Sequence, residues 1–527
     1  MFGSGAAGEP GLVALRDAQA AAYAADGCCR ASGAPAAVLA VGAAQAMQVA
    51  SALVTAWSDR LPVAVLTRDV PGPERPAVRQ ALEAVTEPRG PFHVELAPGE
   101  SVAAALAAIS LPRAAGAEVD PTGVREAARL LRQSRRPLVL LGRGACGIDP
   151  ALAAELSQRA DCPVLLTASA TTMPAAALEG FRRAFAERGA LLPSGNLVWV
   201  KALAQADGIL ALGAALSEVD WFGLSSLQLA RARLLRVALE PADPELAQTF
   251  VRAGAGAFLG RLLEQLPAMG SGKGAAHWRQ AAGGWRDRIE REARAHAGLP
   301  HVEPALAARA IVEGADDATL FVSEGGACGM WLWSYLWLRP LIFPVQHGTI
   351  GVPLPMALGA LTAHPDRPVW CVVGDGAFFY HAAELSTLRE AGLAPAIFVF
   401  NDGCWSAIRL AQTAVFGGRY VGTDLAETDY AALAALHGGE GLTVRRPGEL
   451  DGAIRRARDP ARRVPLVVDI RLPRDHVPYA GASFVLAELD GVLASLLPGS
   501  LLGAGRGLLR GTLPLSTLRS ILRVSRS

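Results

Sequence analysis

The sequence predicts an α/β protein built from three doubly wound parallel-sheet domains, followed by a basic C-terminal tail. The chain has 527 residues, which corresponds to about three domains at roughly 100–200 residues each. Hydrophobic residues make up 51% of the chain and charged residues 19%, so large buried cores are expected. Short β-branched runs alternate with longer Ala- and Leu-rich stretches, and this alternation favours parallel strands covered by helices.

The first predicted domain spans residues 1–112. Within it, the apolar runs Ala36–Val41 and Leu61–Thr67 predict buried strands, and Ala43–Trp57 between them has the spacing of a helix. A segment with Pro and Gly at positions 111–121 marks the boundary to the next domain.

The second and third predicted domains, residues 121–270 and 301–480, continue the same alternation. A Gly- and Ser-rich stretch, Gly270–Ala276, begins the linker between them. In the second domain we expect helices at Gly123–Arg132 and Pro150–Arg159 and strands at Pro137–Gly142, Pro163–Thr167 and Gly208–Gly213. In the third domain we expect strands at Thr319–Ser323, Pro368–Val373 and Ala396–Phe400.

The tail, residues 481–527, differs from the rest in charge. From Pro498 onward it contains no acidic residue, and leucines alternate with five arginines: Arg506, Arg510, Arg519, Arg523 and Arg526. Two interpretations stay open. Interrupting glycines favour a solvated terminus or a helix packed on its own subunit, whereas the basic amphipathic character favours weak contact with an anionic membrane or a partner.

Composition excludes several classes of protein. The formal net charge is +1, which gives no reason to expect nucleic acid as a partner. The seven cysteines are scattered without a CxxC pair, so neither a zinc site nor a disulfide framework is predicted. Neither a secretory signal nor a long apolar run is found, and we therefore expect a cytoplasmic protein.

Two acidic residues follow neighbouring predicted strands in the last third of the chain. Gly374-Asp375-Gly376 comes directly after one strand, and Asn401-Asp402-Gly403 comes directly after the next. Open α/β sheets bind ligands beyond the carboxyl ends of their strands, and glycines let the backbone approach a ligand closely. Carboxylates are ligands that Mg²⁺ accepts together with phosphate oxygens and water. The pair therefore predicts a site for magnesium and a diphosphate.

These motifs resemble the thiamine-diphosphate-dependent enzymes of the acetolactate synthase type. The interval of 402 − 375 = 27 residues and the intervening Glu384-Leu385 match that family. The resemblance implies thiamine diphosphate and Mg²⁺ as cofactors, with the metal held by Asp375, Asp402 and the backbone carbonyl of Cys404. It implies that the cofactor is bound by Gly348, Ile350, Gly374, Asp375, Gly376, Ala377, Asp402 and Cys404.

The resemblance also extends upstream of the metal motif. Gly348-Thr349-Ile350-Gly351 is similar to the family segment in which a large apolar residue, here Ile350, props the cofactor into a bent shape. The carbonyl of Gly348 would accept a hydrogen bond from the cofactor. By the same resemblance the three domains are a shortened pyrimidine-binding domain, a central domain and a diphosphate-binding domain. FAD in the central domain stays an open question, because no flavin motif supports it.

The sequence departs from the family at the position of the activating carboxylate. Family members usually carry a Glu nine residues before the Gly of an Ala-Asp-Gly element, and that count from Gly27 gives Ala18. The catalytic residue is therefore unknown. Asp17 is adjacent, Glu9 of a partner subunit is a second source of a carboxylate, and His347 is a candidate acid–base group beside the cofactor.

The resemblance implies a carboligase or decarboxylase that acts on a small 2-oxo acid such as pyruvate, in a homodimer or homotetramer. Two alternatives stay open: a simple 2-oxo acid decarboxylase, and a non-catalytic subunit that binds the cofactor. The second alternative follows from Ala18, because a protein that has lost catalysis would no longer need the Glu. Ala18 does not exclude activity, because one family relative is active without the Glu.

Overall fold

A computed structural model describes most of the chain. The described residues are 2–4, 10–86, 90–97, 99–108, 118–186, 188–194, 197–216, 232–239, 249–267, 273–344, 347–474, 476 and 478. Glu9 and the tail predicted over residues 481–527 lie outside the described residues. Three parallel sheets confirm the predicted fold class.

The N-terminal domain contains a three-stranded parallel sheet in the order β3-β4-β5. A two-stranded antiparallel pair, β1-β2, precedes it. Its strands are β1 (Phe2–Ser4), β2 (Pro10–Leu12), β3 (Ala36–Val41), β4 (Val63–Arg68) and β5 (Phe92–Glu95). Its helices are α1 (Ala18–Ser32), α2 (Ala43–Ser58), α3 (Arg75–Glu83) and α4 (Val102–Ala108).

The central domain holds a six-stranded parallel sheet in the order β11-β10-β9-β6-β7-β8, which is the doubly wound pattern. The strands are β6 (Pro137–Leu141), β7 (Pro163–Leu166), β8 (Ala190–Pro193), β9 (Gly208–Leu212), β10 (Arg233–Ala238) and β11 (Thr249–Arg252). The helices are α5 (Pro121–Gln133), α6 (Pro150–Arg159), α7 (Ala175–Ala184), α8 (Leu197–Gln205) and α9 (Ala255–Gln265).

The third domain holds another six-stranded parallel sheet, in the order β13-β12-β14-β15-β17-β16. The strands are β12 (Leu320–Val322), β13 (Leu341–Ile342), β14 (Val369–Gly374), β15 (Ala396–Asn401), β16 (Glu440–Val444) and β17 (Leu466–Arg471). The helices are α10 (Lys273–Ala295), α11 (Pro304–Gly314), α12 (Ala327–Leu336), α13 (Pro353–Ala363), α14 (Asp375–Phe378), α15 (Glu384–Glu390), α16 (Ser406–Phe416), α17 (Tyr430–Leu436) and α18 (Leu450–Arg458).

The linker predicted to begin at Gly270–Ala276 differs from the expectation. Helix α10 starts at Lys273 and continues for 23 residues. It places Trp285, Ile289 and Ala293 in a core shared by the central and third domains. The Gly- and Ser-rich composition therefore marks the approach to a long helix, and apolar burial along one helix face outweighs the glycines.

The N-terminal and third domains pack together through helices α1 and α13. A Cβ atom on Gly27 would come within 2.4 Å of the Met356 carbonyl oxygen, and one on Gly359 within 1.8 Å of the Ala24 carbonyl oxygen. The two helix backbones thus touch where neither residue has a side chain. This contact brings the N-terminus of α1, with Asp17 and Ala18, to the third domain.

Among the described residues, no helix is both long and apolar enough to cross a membrane.

Candidate functional site

The two predicted metal ligands emerge at the same edge of the third sheet. Strands β14 and β15 are parallel neighbours, with Gly374 opposite Phe400. Asp375 and Asp402 follow the ends of these strands, and Asp375 Oδ2 accepts a hydrogen bond from the Gly403 N–H at 2.7 Å. The structure therefore brings together the two loops that the sequence predicts to form one site.

Both carboxyl groups at this edge have raised pKa values, so their ionised forms are disfavoured without a cation. Burial, followed by the nearby charge of Asp402, raises the pKa of Asp375 to about 7. Burial also raises the pKa of Asp402, although Ser406 and Cys404 donate hydrogen bonds to its carboxylate. One buried and one half-buried acidic group, both with raised pKa values, form a site that a divalent cation would stabilise.

The donor set fits magnesium in particular. Within the described ranges, no group of three or more His, Cys, Asp or Glu side chains gathers as a metal site. A cation here would therefore rest on Asp375, Asp402 and a backbone carbonyl such as that of Cys404. Mg²⁺ is usually held in this way, by one or two carboxylates with phosphate oxygens and water completing the octahedron.

The Asp402–Gly403 turn is held from outside by Arg474. Its guanidinium donates to the Asp402 carbonyl at 3.1 Å and to the Gly403 carbonyl at 3.0 Å. Gly403 has a φ of +69°, a left-handed conformation that glycine adopts without strain. On the other loop, the Tyr430 hydroxyl donates to the Asp375 carbonyl at 2.9 Å. Both turns are thus fixed before any ligand binds.

Glu324 joins the predicted metal loop to the predicted cofactor loop. Its carboxylate is buried and accepts hydrogen bonds from the Gly351 N–H at 2.6 Å and the Gly374 N–H at 2.8 Å. Burial raises the pKa of Glu324 to about 7, against the effect of these hydrogen bonds. Glu324 follows β12 and lies on the same sheet edge as Asp375. This position is the feature of the sequence that could have predicted its contact with both loops.

The Gly348–Gly351 loop lies beside Glu324. Gly348 and Gly351 have φ values of +56° and +81°, which explains why glycine occupies both positions. Ile350 is half-buried against the core shared by the N-terminal and third domains. His347 is exposed in the turn, and no hydrogen bond fixes its side chain toward the metal motif in the part of the chain described. Its role as an acid–base group stays a prediction.

The segment around Ala18 is docked on the third domain by Glu384. The buried carboxylate of Glu384 accepts hydrogen bonds from the backbone N–H groups of Arg16 at 3.1 Å and Asp17 at 3.2 Å. Ala18 begins helix α1 and is half-buried. Because the anchor uses the main chain, its two hydrogen bonds do not depend on the side chain at position 18, and the Ala18 methyl group packs on the adjoining core.

Asp17 caps helix α1 and also faces the third domain. Its Oδ2 accepts a hydrogen bond from the Ala20 N–H at 2.9 Å and lies 3.5 Å from His381 Nε2. The other ring nitrogen of His381, Nδ1, donates to the Gly351 carbonyl at 2.7 Å. A carboxylate and an imidazole therefore connect α1 with the loop that contains Ile350.

A cavity of about 540 Å³ lies away from these loops, between the central and third domains. Its arginines are engaged within the protein: Arg339, for example, donates to the carbonyls of Val312, Ala315 and Asp316, and Arg286 pairs with Glu290 at 2.9 Å. We therefore place the candidate site at the strand-end loops and not in this cavity.

Comparison with known families agrees with the geometry at both ends of the chain. Residues 4–93 match the family described as thiamine pyrophosphate enzyme, N-terminal TPP binding domain. Residues 324–470 match the corresponding C-terminal TPP binding domain, a segment that begins at Glu324 and contains both aspartates. The chain therefore carries the N- and C-terminal domains of thiamine pyrophosphate enzymes, which indicates thiamine diphosphate as the cofactor.

Within that family, the chain is similar to acetolactate synthases and to decarboxylases and lyases. An acetolactate synthase of Arthrospira platensis is 24% identical, with 90% of this chain and 89% of the relative covered. A probable 2-ketoarginine decarboxylase of Pseudomonas aeruginosa is 28% identical, with 83% of each chain covered. A 2-hydroxyacyl-CoA lyase 2 of Danio rerio is 38% identical, but over only 23% of this chain and 19% of the relative.

Proposed function

We propose that this protein is a thiamine-diphosphate- and Mg²⁺-dependent enzyme that decarboxylates a 2-oxo acid and transfers the remaining acyl unit to an acceptor, as a carboligase. The observation that carries the proposal is the pair of carboxyl groups, buried Asp375 and half-buried Asp402, on adjacent strand ends with raised pKa values. The similarity to acetolactate synthase over most of the chain supports the carboligase assignment.

In this proposal the residues of the chain bind and orient the cofactor. Asp375, Asp402 and the Cys404 carbonyl would hold Mg²⁺, and Gly374, Gly376 and Ala377 of the same turn would bind the diphosphate. Gly348 and Ile350 hold the organic part of the cofactor, and Glu324 keeps the two loops together. Thiamine diphosphate, when bound, supplies the reactive carbon and the electron sink, while the protein supplies orientation and electrostatics.

In this proposal the catalytic carboxylate does not come from position 18, which is Ala. Asp17 is the described carboxylate next to Ala18, and its side chain is already shared between Ala20 and His381. We infer that Asp17 and His381 together hold the proton that the family's Glu would handle. Residues of a second copy would complete the site, since a homodimer or homotetramer is what the resemblance implies.

Two other functions stay as alternatives. A simple 2-oxo acid decarboxylase is favoured by the similarity to the probable 2-ketoarginine decarboxylase. A non-catalytic, cofactor-binding subunit is favoured by Ala18 at the activating position, because the metal motif would be kept intact in a protein that only binds the cofactor.

Calorimetry followed by a turnover assay separates these functions. Titration with thiamine diphosphate in the presence and absence of Mg²⁺ measures cofactor binding, and carbon dioxide release over a panel of 2-oxo acids, with and without an aldehyde or second 2-oxo acid as acceptor, measures catalysis. We expect Mg²⁺-dependent binding that Asp375→Ala removes, and a ligated product. Binding without turnover would support the non-catalytic alternative, and binding unaffected by Mg²⁺ or by Asp375→Ala would contradict the whole assignment.

A further inference from the structure

A cavity of about 380 Å³ opens beside the Gly374-Asp375-Gly376 turn. We call it the aromatic cavity, because four of its eight lining residues carry aromatic rings. The lining residues are Gly376, Phe379, Tyr380, Trp405, Leu425, Ala426, Thr428 and Tyr430. Its volume falls within the roughly 300–1,000 Å³ that is typical of small-molecule sites.

The aromatic cavity lies between the predicted cofactor loop and the predicted metal loop. Tyr380 packs on Gly351, where a Cβ atom would come within 2.4 Å of the tyrosine Cβ. Trp405 packs on Gly376, where a Cβ atom would come within 2.8 Å of the indole ring. The cavity therefore begins where Ile350 and Asp375 are expected to hold the cofactor.

The walls of the aromatic cavity are held in place by the loops that form them. The backbone N–H of Trp405 donates to the Thr423 carbonyl at 2.8 Å, and the backbone N–H of Leu425 donates to the Gly403 carbonyl at 2.9 Å. The rings contact one another as well: Tyr380 and Trp405 lie 6.5 Å apart and Phe379 and Tyr430 lie 5.5 Å apart, measured between ring centroids. The cavity is thus preformed.

The chemistry of the lining is apolar. None of the eight residues is Asp, Glu, Lys, Arg or His. The Tyr430 hydroxyl is occupied by its hydrogen bond to the Asp375 carbonyl. Phe379 and Tyr380 nevertheless remain 52% and 59% exposed, so both rings, although each contacts a neighbouring ring, still face the cavity and the solvent. An uncharged ring or branched apolar group would cover them.

We propose that the aromatic cavity binds the side chain of the substrate, and that this substrate is a 2-oxo acid with an aromatic or bulky apolar side chain. The inference rests on the proposed function. The methyl group of pyruvate would leave most of the cavity empty. A cationic side chain, such as a guanidinium, would find no carboxylate among the lining residues to pair with.

Two measurements on the full-length chain, loaded with thiamine diphosphate and Mg²⁺, test this inference. The first is kcat/KM for carbon dioxide release from phenylpyruvate, phenylglyoxylate, pyruvate and 2-oxo-5-guanidinopentanoate. The second is calorimetric binding of the unreactive acids 3-phenylpropanoate and propanoate. We expect at least a tenfold preference for the aromatic compound in both measurements.

Variants of the exposed walls provide the matched comparison. Phe379→Ala and Tyr380→Ala should lower the preference for 3-phenylpropanoate by at least fivefold and leave the affinity for thiamine diphosphate unchanged. Phe416→Ala removes an aromatic ring that is 54% exposed but does not line the cavity, and it should change neither value.

The outcomes separate this inference from the proposed function. Faster turnover of pyruvate or of the guanidino acid than of the aromatic acids, or equal binding of the two unreactive acids, would overturn the inference. Competition between 3-phenylpropanoate and thiamine diphosphate would also overturn it, since the cavity would then belong to the cofactor. Preferential binding of 3-phenylpropanoate with no turnover of any 2-oxo acid would support the cavity assignment and overturn the proposed function alone.

Discussion

Asp17 in the N-terminal domain and His381 in the third domain approach each other to 3.5 Å, measured from Oδ2 to Nε2. The contact joins positions 364 residues apart in sequence at the point where the family's activating Glu is replaced by Ala18. It places one acidic and one basic side chain beside the Gly351 carbonyl, to which His381 donates. The consequences for catalysis can be measured with single substitutions.

Restoring the family's carboxylate should increase activity. We expect Ala18→Glu to raise kcat by roughly 10²-fold, which is the lower end of what a positioned acid–base group contributes. Ala18→Gln is the matched control, because it adds a side chain of the same size without the charge. Steady-state kinetics of carbon dioxide release measures both, and an equal effect of the two variants would show that the carboxylate does not act as an acid or base.

Removing one metal ligand should abolish Mg²⁺-dependent cofactor binding without unfolding the protein. Asp375→Asn keeps the shape of the side chain but removes its negative charge, which the nearby negative charge of Asp402 disfavours. We expect the affinity for thiamine diphosphate in the presence of Mg²⁺ to fall at least about 10²-fold. The melting temperature of the metal-free protein should fall only modestly, because the amide nitrogen replaces one of the two oxygens that accept from the Gly376 and Gly403 N–H groups. Calorimetry and thermal denaturation measure the two quantities, and unchanged affinity would exclude Asp375 as a ligand.

The raised pKa of Asp375 predicts how stability depends on pH. The pKa rises from 3.8 to about 7 in the folded, metal-free protein, so the folded state binds more protons than the unfolded state between these values. The contribution of Asp375 to stability is therefore present below about pH 4 and lost as the pH rises toward 7. Glu324, with a pKa of about 7, acts in the same direction.

Mg²⁺ should reverse this loss because it binds the ionised carboxylate. We expect Mg²⁺ with thiamine diphosphate to raise the melting temperature more at pH 8 than at pH 6, and the apparent metal affinity to fall about tenfold per pH unit below 7. Asp375→Asn should remove most of the difference between the two pH values. A Mg²⁺ effect of the same size at both pH values in the wild-type protein would contradict the prediction.

The bridge made by Glu324 should be needed for cofactor binding. In Glu324→Gln the amide nitrogen replaces one of the two oxygens that accept from Gly351 and Gly374, and a buried N–H then has no acceptor, at a cost of about 1–3 kcal/mol. We expect weaker binding of thiamine diphosphate and a lower melting temperature. Cys328→Ala is the control, because its thiol lies 3.7 Å from the same carboxylate and its loss leaves both backbone hydrogen bonds in place.

The close contact between helices α1 and α13 should tolerate no side chain. Gly359→Ala would place a Cβ atom 1.8 Å from the Ala24 carbonyl oxygen, and we expect a loss of about 1–3 kcal/mol in the free energy of unfolding. Gly283→Ala in α10 has no atom within 4 Å of the new Cβ and should stabilise the protein by about 0.5–1 kcal/mol. Chemical denaturation measures both, and equal effects would show that the helices are not in contact.

Much of the fold follows from local sequence. The run Ala36–Val41 and the helix Pro150–Arg159 have the bounds that their composition predicts, because burial on a parallel sheet and helix capping are both local effects. Asp375 and Asp402 also follow from local reasoning, since each comes directly after a strand. The long helix α10 does not, because its burial depends on contacts with both the central and the third domain.

The contacts that complete the candidate site depend on the tertiary structure. Glu384 anchors Arg16 and Asp17 across more than 360 positions in sequence, and no local pattern around Glu384 indicates its partner. Glu324 illustrates the same limit: a strand-end Glu indicates the right edge of the sheet, but its two backbone donors belong to loops that come together only in the folded chain.

The anchor between Glu384 and the backbone of residues 16 and 17 has a consequence for protein engineering. Since Glu384 accepts only from the main-chain N–H groups of residues 16 and 17, a substitution at position 18 removes neither of these two hydrogen bonds. The hydrogen bonds that hold the backbone next to position 18 are thus independent of the side chain at that position. The chain is therefore a ready scaffold for installing alternative acids or bases by changing a single codon.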